Sequence, residues 1–400
     1  MKFKDLFMRL AVILFIPLLL TSAFTLTAWA EAIKVNDQPN YAIEPVKDIL
    51  DLKCKSAILI EAESGRVIYE QNADEALPPA SVTKVMTLLL VMEAIDSGKI
   101  KLDDTVTVSE RAASMGGSQI YLEVGEQMCV EDMLKSVIIA SANDAACALA
   151  EYVSGSESAF VKAMNDRAAE LGMKNTTFEN TNGLDDTAQN HKTSARDIAI
   201  MSAELIKHKK ILEYSSIWMD TVRGGLFGLT NTNRLVRYYS GCTGLKTGYT
   251  SQAGYCVSAS AERGGVSLIC VIMGAESSEI RNSIATSLLD WGFANYGVYR
   301  HEAKALEPLK VLGGVADTVE IGYEDFSFAT EKSSIGKIQY KIVLPESVSA
   351  PIESGDKVGE VVFILEGKEI GRIPITALSS VDRIGFGELW LRMLGRYLLK

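Results

Sequence analysis

Histidine is scarce here: His191, His208 and His301 are the only three in 400 residues. None of the six cysteines, Cys54, Cys129, Cys147, Cys242, Cys256 and Cys270, forms a C-x-x-C pair. A zinc centre needs clustered Cys and His ligands, so one is disfavoured. A Ser-His-Asp triad is disfavoured too, although one histidine would formally suffice. Excess positive charge is also missing: the formal net charge is -11 and the sequence pI is near 5.0. That argues against a nucleic-acid partner, which usually needs a basic face. There is no internal repeat and no low-complexity segment. Hydrophobic residues make up 48% and charged residues 23%, enough apolar material to bury a core. The length allows two or three domains.

Residues 1–30 read as an export signal. Lys2, Lys4 and Arg9 precede an almost wholly apolar run over residues 10–20, and Ala28-Trp29-Ala30 supplies a small-x-small cleavage pattern. An uncleaved anchor is the alternative, since residues 10–30 are long enough to span a bilayer. Both readings place the remainder outside the cytoplasm. Disulfides are then permitted, but the wide spacings and apolar settings suit buried free thiols equally well.

Residues 55–71 alternate as a strand pair around Ser64-Gly65. After Pro78-Pro79, residues 81–96 form an apolar helical stretch. Residues 104–127 read as short strands and turns, and residues 130–153 as one or two buried helices. Helices are expected over 157–171, 193–207 (N-cap Thr193 or Ser194) and 278–293. Residues 244–250, 254–261 and 266–273 read as three consecutive antiparallel strands. From 305 to 382 short Val/Ile/Gly segments replace helical periodicity, as in a small all-β domain.

Three short elements carry chemistry. Ser81-Val82-Thr83-Lys84 opens a helix, where positions i and i+3 share a face, so Lys84 lies beside the Ser81 hydroxyl. The helix start also offers free N–H groups to an oxyanion. A serine needs a base, and lysine serves only if its pKa falls toward neutrality. A fall of about three units costs roughly 4 kcal/mol, which burial and a second cation would supply. Ser141-Ala142-Asn143 interrupts a buried helical run, where polar groups must be paired. A helix-linking turn is the plain reading. The functional one makes Ser141 a proton shuttle and Asn143 an orienting group. Lys246-Thr247-Gly248 sits on an expected strand. Lys246 is the candidate second cation, Thr247 can hold a substrate carboxylate, and Gly248 lets a substrate backbone approach the strand edge. A second S-x-x-K, Ser334-Ile335-Gly336-Lys337, falls in the expected β domain, where i and i+3 do not share a face, and reads as chance.

Together, in this order, the three elements form the set shared by class A β-lactamases and penicillin-binding proteins. The chain resembles the low-molecular-mass penicillin-binding proteins that are serine D-alanyl-D-alanine carboxypeptidases of bacterial cell walls. The resemblance extends through Thr181-Asn182-Gly183-Leu184-Asp185, Thr193-Ser194-Ala195-Arg196-Asp197 and Leu289-Asp290-Trp291-Gly292-Phe293. It implies an α+β, β-lactamase/transpeptidase-like catalytic domain over residues 31–300: an antiparallel sheet flanked by helices, plus a helical subdomain holding Ser141. It implies attack by Ser81 on the bond between two terminal D-alanines of a peptidoglycan stem peptide. The backbone N–H groups of Ser81 and Tyr249 would form the oxyanion hole. Ser141 would pass a proton to the leaving D-alanine, and water would hydrolyse the acyl-enzyme. Thr247 and Arg281 match carboxylate-binding positions, the plain reading of Arg281 being a solvated helix arginine. Tyr249 stands where other members carry histidine. The resemblance implies β-lactams as inhibitors and no metal or organic cofactor. A D,D-endopeptidase is a close alternative. A β-lactamase lacks support, since no clear Glu-x-x-Leu-Asn segment is present, and intact catalytic residues argue against a non-catalytic penicillin sensor.

Residues 383–400 form an amphipathic helix. Phe386, Leu389, Trp390, Met393, Leu394 and Tyr397 lie on one side, and Glu388, Arg392, Arg396 and Lys400 on the other. It is too short to span a bilayer and suits a membrane surface, or else docking on the β domain.

Overall fold

The computed structural model describes residues 52–184 and 188–398; residues 1–30, where an export signal is expected, lie outside them. The expected hairpin forms as β1 (Ser56–Glu61) and β2 (Val67–Gln71). The three later strands are β3 (Cys242–Thr250), β4 (Gly254–Arg263) and β5 (Val266–Ala275). They join the hairpin in one five-stranded antiparallel sheet, ordered β2-β1-β5-β4-β3. The strand bearing Lys246-Thr247-Gly248 is therefore an edge strand.

Both faces of this sheet are covered, so its central strands are buried along most of their length. Side chains alternate along a strand. In β1, Ile58 and Ile60 enter one core while Ala57 and Leu59 enter the other; in β5, Ile269 and Val271 oppose Leu268 and Ile272. The first core is closed by α1 (Lys84–Asp96), α2 (Val130–Ile139), α3 (Asn143–Ser154) and α4 (Ala195–Leu205). The second is closed by α5 (Ser278–Asn295), through Ile284, Leu288 and Leu289. Helix α1 is buried on nearly every side, so Met86, Leu88, Leu89 and Met92 need no polar face. Ser194 caps α4 by accepting from Asp197 N–H at 3.2 Å.

Beyond α5 the chain becomes β-rich. Strand Tyr296–His301 pairs with Phe326–Glu331, and Lys357–Leu365 pairs with Lys368–Ala377 around a core including Val361, Phe363 and Ile375. Arg66, at the tip of the β1–β2 hairpin, donates to the carbonyl of Ala329 and lies 4.6 Å over the Phe328 ring. One expectation is corrected here. Ser334 does not lie on a strand but in a single helical turn, Lys332–Ile335. Lys337 turns away to pair with Glu366 at 2.8 Å, so this second S-x-x-K builds no site. All six cysteines are free thiols.

The final helix, α6 (Phe386–Leu398), leaves Phe386 83%, Trp390 56% and Met393 59% exposed. Arg392 reaches Glu388 and Asp317, both at 3.3 Å. The side chains of Arg396, Tyr397 and Lys400 lie outside the described residues. No helix among the described residues is long and apolar enough to cross a membrane.

Candidate active site

Ser81 lies in a short 3-10 turn, Ala80–Thr83, that runs directly into α1. The turn starts from a strained residue: Ala80 has φ +49°. A non-glycine in this left-handed region costs about 1–2 kcal/mol and persists only where its surroundings hold it. Two glycines do so. A Cβ on Gly183 would fall 1.8 Å from the Ala80 carbonyl oxygen, and Gly183 itself has φ +84°. A Cβ on Gly248 would fall 2.8 Å from Pro79 O, 2.9 Å from Ser81 N and 3.0 Å from Ala80 Cβ. The Ala80–Ser81 peptide is thus wedged between a loop and the sheet edge. Glycine at 248 is required first by this chain's own backbone, a closer constraint than substrate approach.

Lys84 Nζ is 2.9 Å from Ser81 Oγ and 2.9 Å from the carbonyl oxygen of Asn182. Its side chain is fully buried and forms no ion pair among the described residues. Burial holds its pKa well below the ordinary lysine value, and the nearby Lys246 ammonium lowers it further, against a smaller opposing pull from Asp144. Lys246 is also buried and donates to Thr247 O at 2.9 Å. Burial, then repulsion from Arg281, brings its pKa down to about 7. Arg281 is 5% exposed, so it is no solvated surface arginine. It donates to Cys256 O and Asn282 Oδ1, neither of them charged, and forms no ion pair among the described residues. Three buried basic side chains, none paired with a carboxylate among the described residues, make a site that an anion would relieve.

Ser141 and Asn143 arrive on the turn into α3, where Ser141 has φ +64°. Asn143 Nδ2 donates to Gly116 O at 2.7 Å, while its Oδ1 is buried with no partner. An unpaired buried acceptor costs about 1–3 kcal/mol, and a bound N–H group would satisfy it. A Cβ on Gly117 would touch both Asn143 Nδ2 and Leu184 Cδ2, which sets this turn beside the Asn182–Leu184 loop that Lys84 contacts. Thr247 Oγ1 donates to Thr232 Oγ1 at 2.8 Å. Tyr249 is 56% exposed, its ring 4.3 Å from that of Tyr255.

Several participants carry no signal in local spacing. Asp144 is fully buried and accepts from the N–H groups of Ile120, Leu122 and Ala145, tying residues 120–122 to α3. Its place in the first turn of a helix is the one clue the sequence offers. Asn182 supplies a backbone oxygen, to which its side chain gives no clue. Thr83 and His191 form a hydrogen-bonded pair at 2.7 Å, though 108 residues apart.

Residues 41–277 match a family described as D-alanyl-D-alanine carboxypeptidase, and residues 295–383 match the penicillin-binding protein 5 C-terminal domain. The chain is 43% identical over 351 residues to D-alanyl-D-alanine carboxypeptidase DacF of Bacillus subtilis (strain 168), spanning 86% of this chain and 90% of that protein. Penicillin-binding protein 5 from Haemophilus influenzae superimposes with a TM-score of 0.74 at 32% identity, over 86% of this chain and 100% of that one. Penicillin-binding protein D2 from Listeria monocytogenes, in its cefotaxime-bound form, gives 0.57 at 35% identity, over 61% and 98%.

Proposed function

The chain belongs to the serine-type D-alanyl-D-alanine carboxypeptidase family, and on that premise we propose that it releases the terminal D-alanine of peptidoglycan stem peptides through an acyl-enzyme on Ser81. One observation carries the reading: a fully buried lysine, with no ion-pair partner among the described residues, stands 2.9 Å from a serine hydroxyl. In its neutral form Lys84 accepts the Ser81 proton as Oγ attacks the carbonyl carbon of the penultimate D-alanine. The oxygen's developing charge meets the backbone N–H groups of Ser81 and Tyr249. The C–N bond breaks as the proton passes, through Ser141, to the leaving amine. Asn143 Oδ1 accepts from the substrate's backbone. Thr247, Gly248 and Arg281 receive the free carboxylate and the strand-like peptide at the sheet edge, with Lys246 holding Lys84's pKa down. Water then hydrolyses the ester. The same site accepts β-lactams, whose ring carbonyl mimics the scissile one. The measurement is D-alanine release from a peptide ending in D-Ala-D-Ala, with mass mapping of the penicillin adduct. The expected result is release together with an adduct on the peptide containing Ser81. An adduct elsewhere would remove the assignment.

The reading includes export and a peripheral position on the outer face of the cytoplasmic membrane, supported by the exposed apolar side of α6. The full chain should sediment with anionic lipid vesicles, and a chain ending at residue 385 should stay in solution. Equal sedimentation of both would sink the idea.

A further inference from the structure

The Ala80 carbonyl lies at the end of a hydrogen-bond chain whose direction is determined throughout. The Glu179 N–H donates to His191 Nδ1 at 3.0 Å. Nδ1 is therefore an acceptor, and the neutral ring carries its proton on Nε2. Nε2–H can then only donate to Thr83 Oγ1, 2.7 Å away. That hydroxyl is left to donate to Ala80 O at 2.8 Å. His191 is 7% exposed and Thr83 fully buried, and the Phe178 ring meets the imidazole edge-on at 5.7 Å. Burial is the main reason the ring stays neutral, its pKa down to about 4, with Lys84 adding a smaller repulsion against the attraction of Glu179.

We propose that His191, acting through Thr83, is a positioning residue for acyl transfer: it anchors the Ala80 carbonyl and so fixes the left-handed turn that aims Ser81 Oγ at Lys84. This rests on the reading of Ser81 as nucleophile. Ala80 immediately precedes Ser81, and Thr83 lies between Ser81 and Lys84, so a rotation of the Ala80 peptide moves Oγ away from Nζ. The two glycines clamp that peptide sterically; the histidine chain sets the direction of its carbonyl. A protonated His191 would set Nδ1–H against the Glu179 N–H, so only the neutral ring fits.

The test measures the acylation rate constant with a fluorescent penicillin, together with the thermal midpoint, for wild type, His191→Asn, His191→Gln, Thr83→Val and the double variant His191→Asn/Thr83→Val. A glutamine amide reaches the Nε2 position and can still donate to Thr83, whereas an asparagine amide reaches only the Nδ1 position. His191→Asn is expected to acylate about ten- to a hundred-fold more slowly, since a small misplacement of a reacting atom has effects of that size. His191→Gln should recover to within about three-fold of wild type, and Thr83→Val should match His191→Asn, with little further loss in the double variant. If His191→Asn fails to fold, Thr83→Val decides alone. Wild-type rates in both Thr83→Val and any folded His191→Asn would overturn the proposal, as would a folded His191→Gln as slow as His191→Asn. Absence of acylation in wild type would instead overturn the reading of Ser81.

Discussion

Ser81→Ala is expected to abolish D-alanine release, by about 10⁶-fold, and Lys84→Met to lower it by about 10⁴-fold, with both proteins folded. The first change removes the atom proposed to bear the acyl group. The second leaves the hydroxyl in place but takes away its proposed proton acceptor. Methionine matches the buried Lys84 side chain in length and buries no ionisable group, so the loss will not reflect unfolding. The two variants separate the roles. Penicillin labelling should vanish in Ser81→Ala and persist at a much reduced rate in Lys84→Met. The sign of the pH dependence follows from the lowered Lys84 pKa. Protonated Lys84 cannot accept the serine proton, so acylation rises with pH through that pKa and then levels off. Lys84→Met should lack this acid limb. Persistence of the same limb in Lys84→Met would assign the titrating base to another group.

The parts of this molecule legible in its sequence are those fixed by spacing. Ile58 and Leu59 alternate between two cores as strand geometry requires, and the hairpin, the three late strands and α5 follow from the same periodicities. Ser81 and Lys84 share a helix face because they stand three positions apart. What stays illegible is set by packing across long stretches of chain. No local pattern says that Gly183 must leave room for Ala80, about a hundred residues earlier, or that Thr83 meets His191. Asn182 serves through its backbone oxygen, to which any side chain is irrelevant. The second S-x-x-K shows the converse. Ser334 does lie on a helical turn, yet Lys337 stands in solvent beside Glu366, with neither burial nor a second cation to lower its pKa. The spacing creates the contact only where the surroundings bury it.

That burial is unfavourable for the fold, and Lys246→Met should reveal it as a gain in stability alongside a loss of activity. Lys246 moves from an ordinary value of 10.5 to about 7, a shift worth about 5 kcal/mol against the folded state. The sign is set by proton counts. Between about pH 7 and 10.5 the unfolded chain binds the proton that the folded chain has lost, so stability rises with pH across that window. Below about pH 7 both states are protonated and the full penalty is present; above 10.5 it vanishes. Methionine keeps the packing, gives up the hydrogen bond to Thr247 O and removes the penalty. A net gain of about 2 kcal/mol or more is expected at pH 6, seen as a thermal midpoint several degrees above wild type. The gap between the two proteins should narrow by pH 9. Lys84 adds to the effect, because its own pKa rises once its cationic neighbour is gone. A variant that is less stable than wild type at pH 6, or a gap unchanged between pH 6 and 9, would mean that Lys246 is held at no cost. The cation would then have a buried counter-charge, and the argument that this cleft awaits an anionic substrate would lose its electrostatic basis.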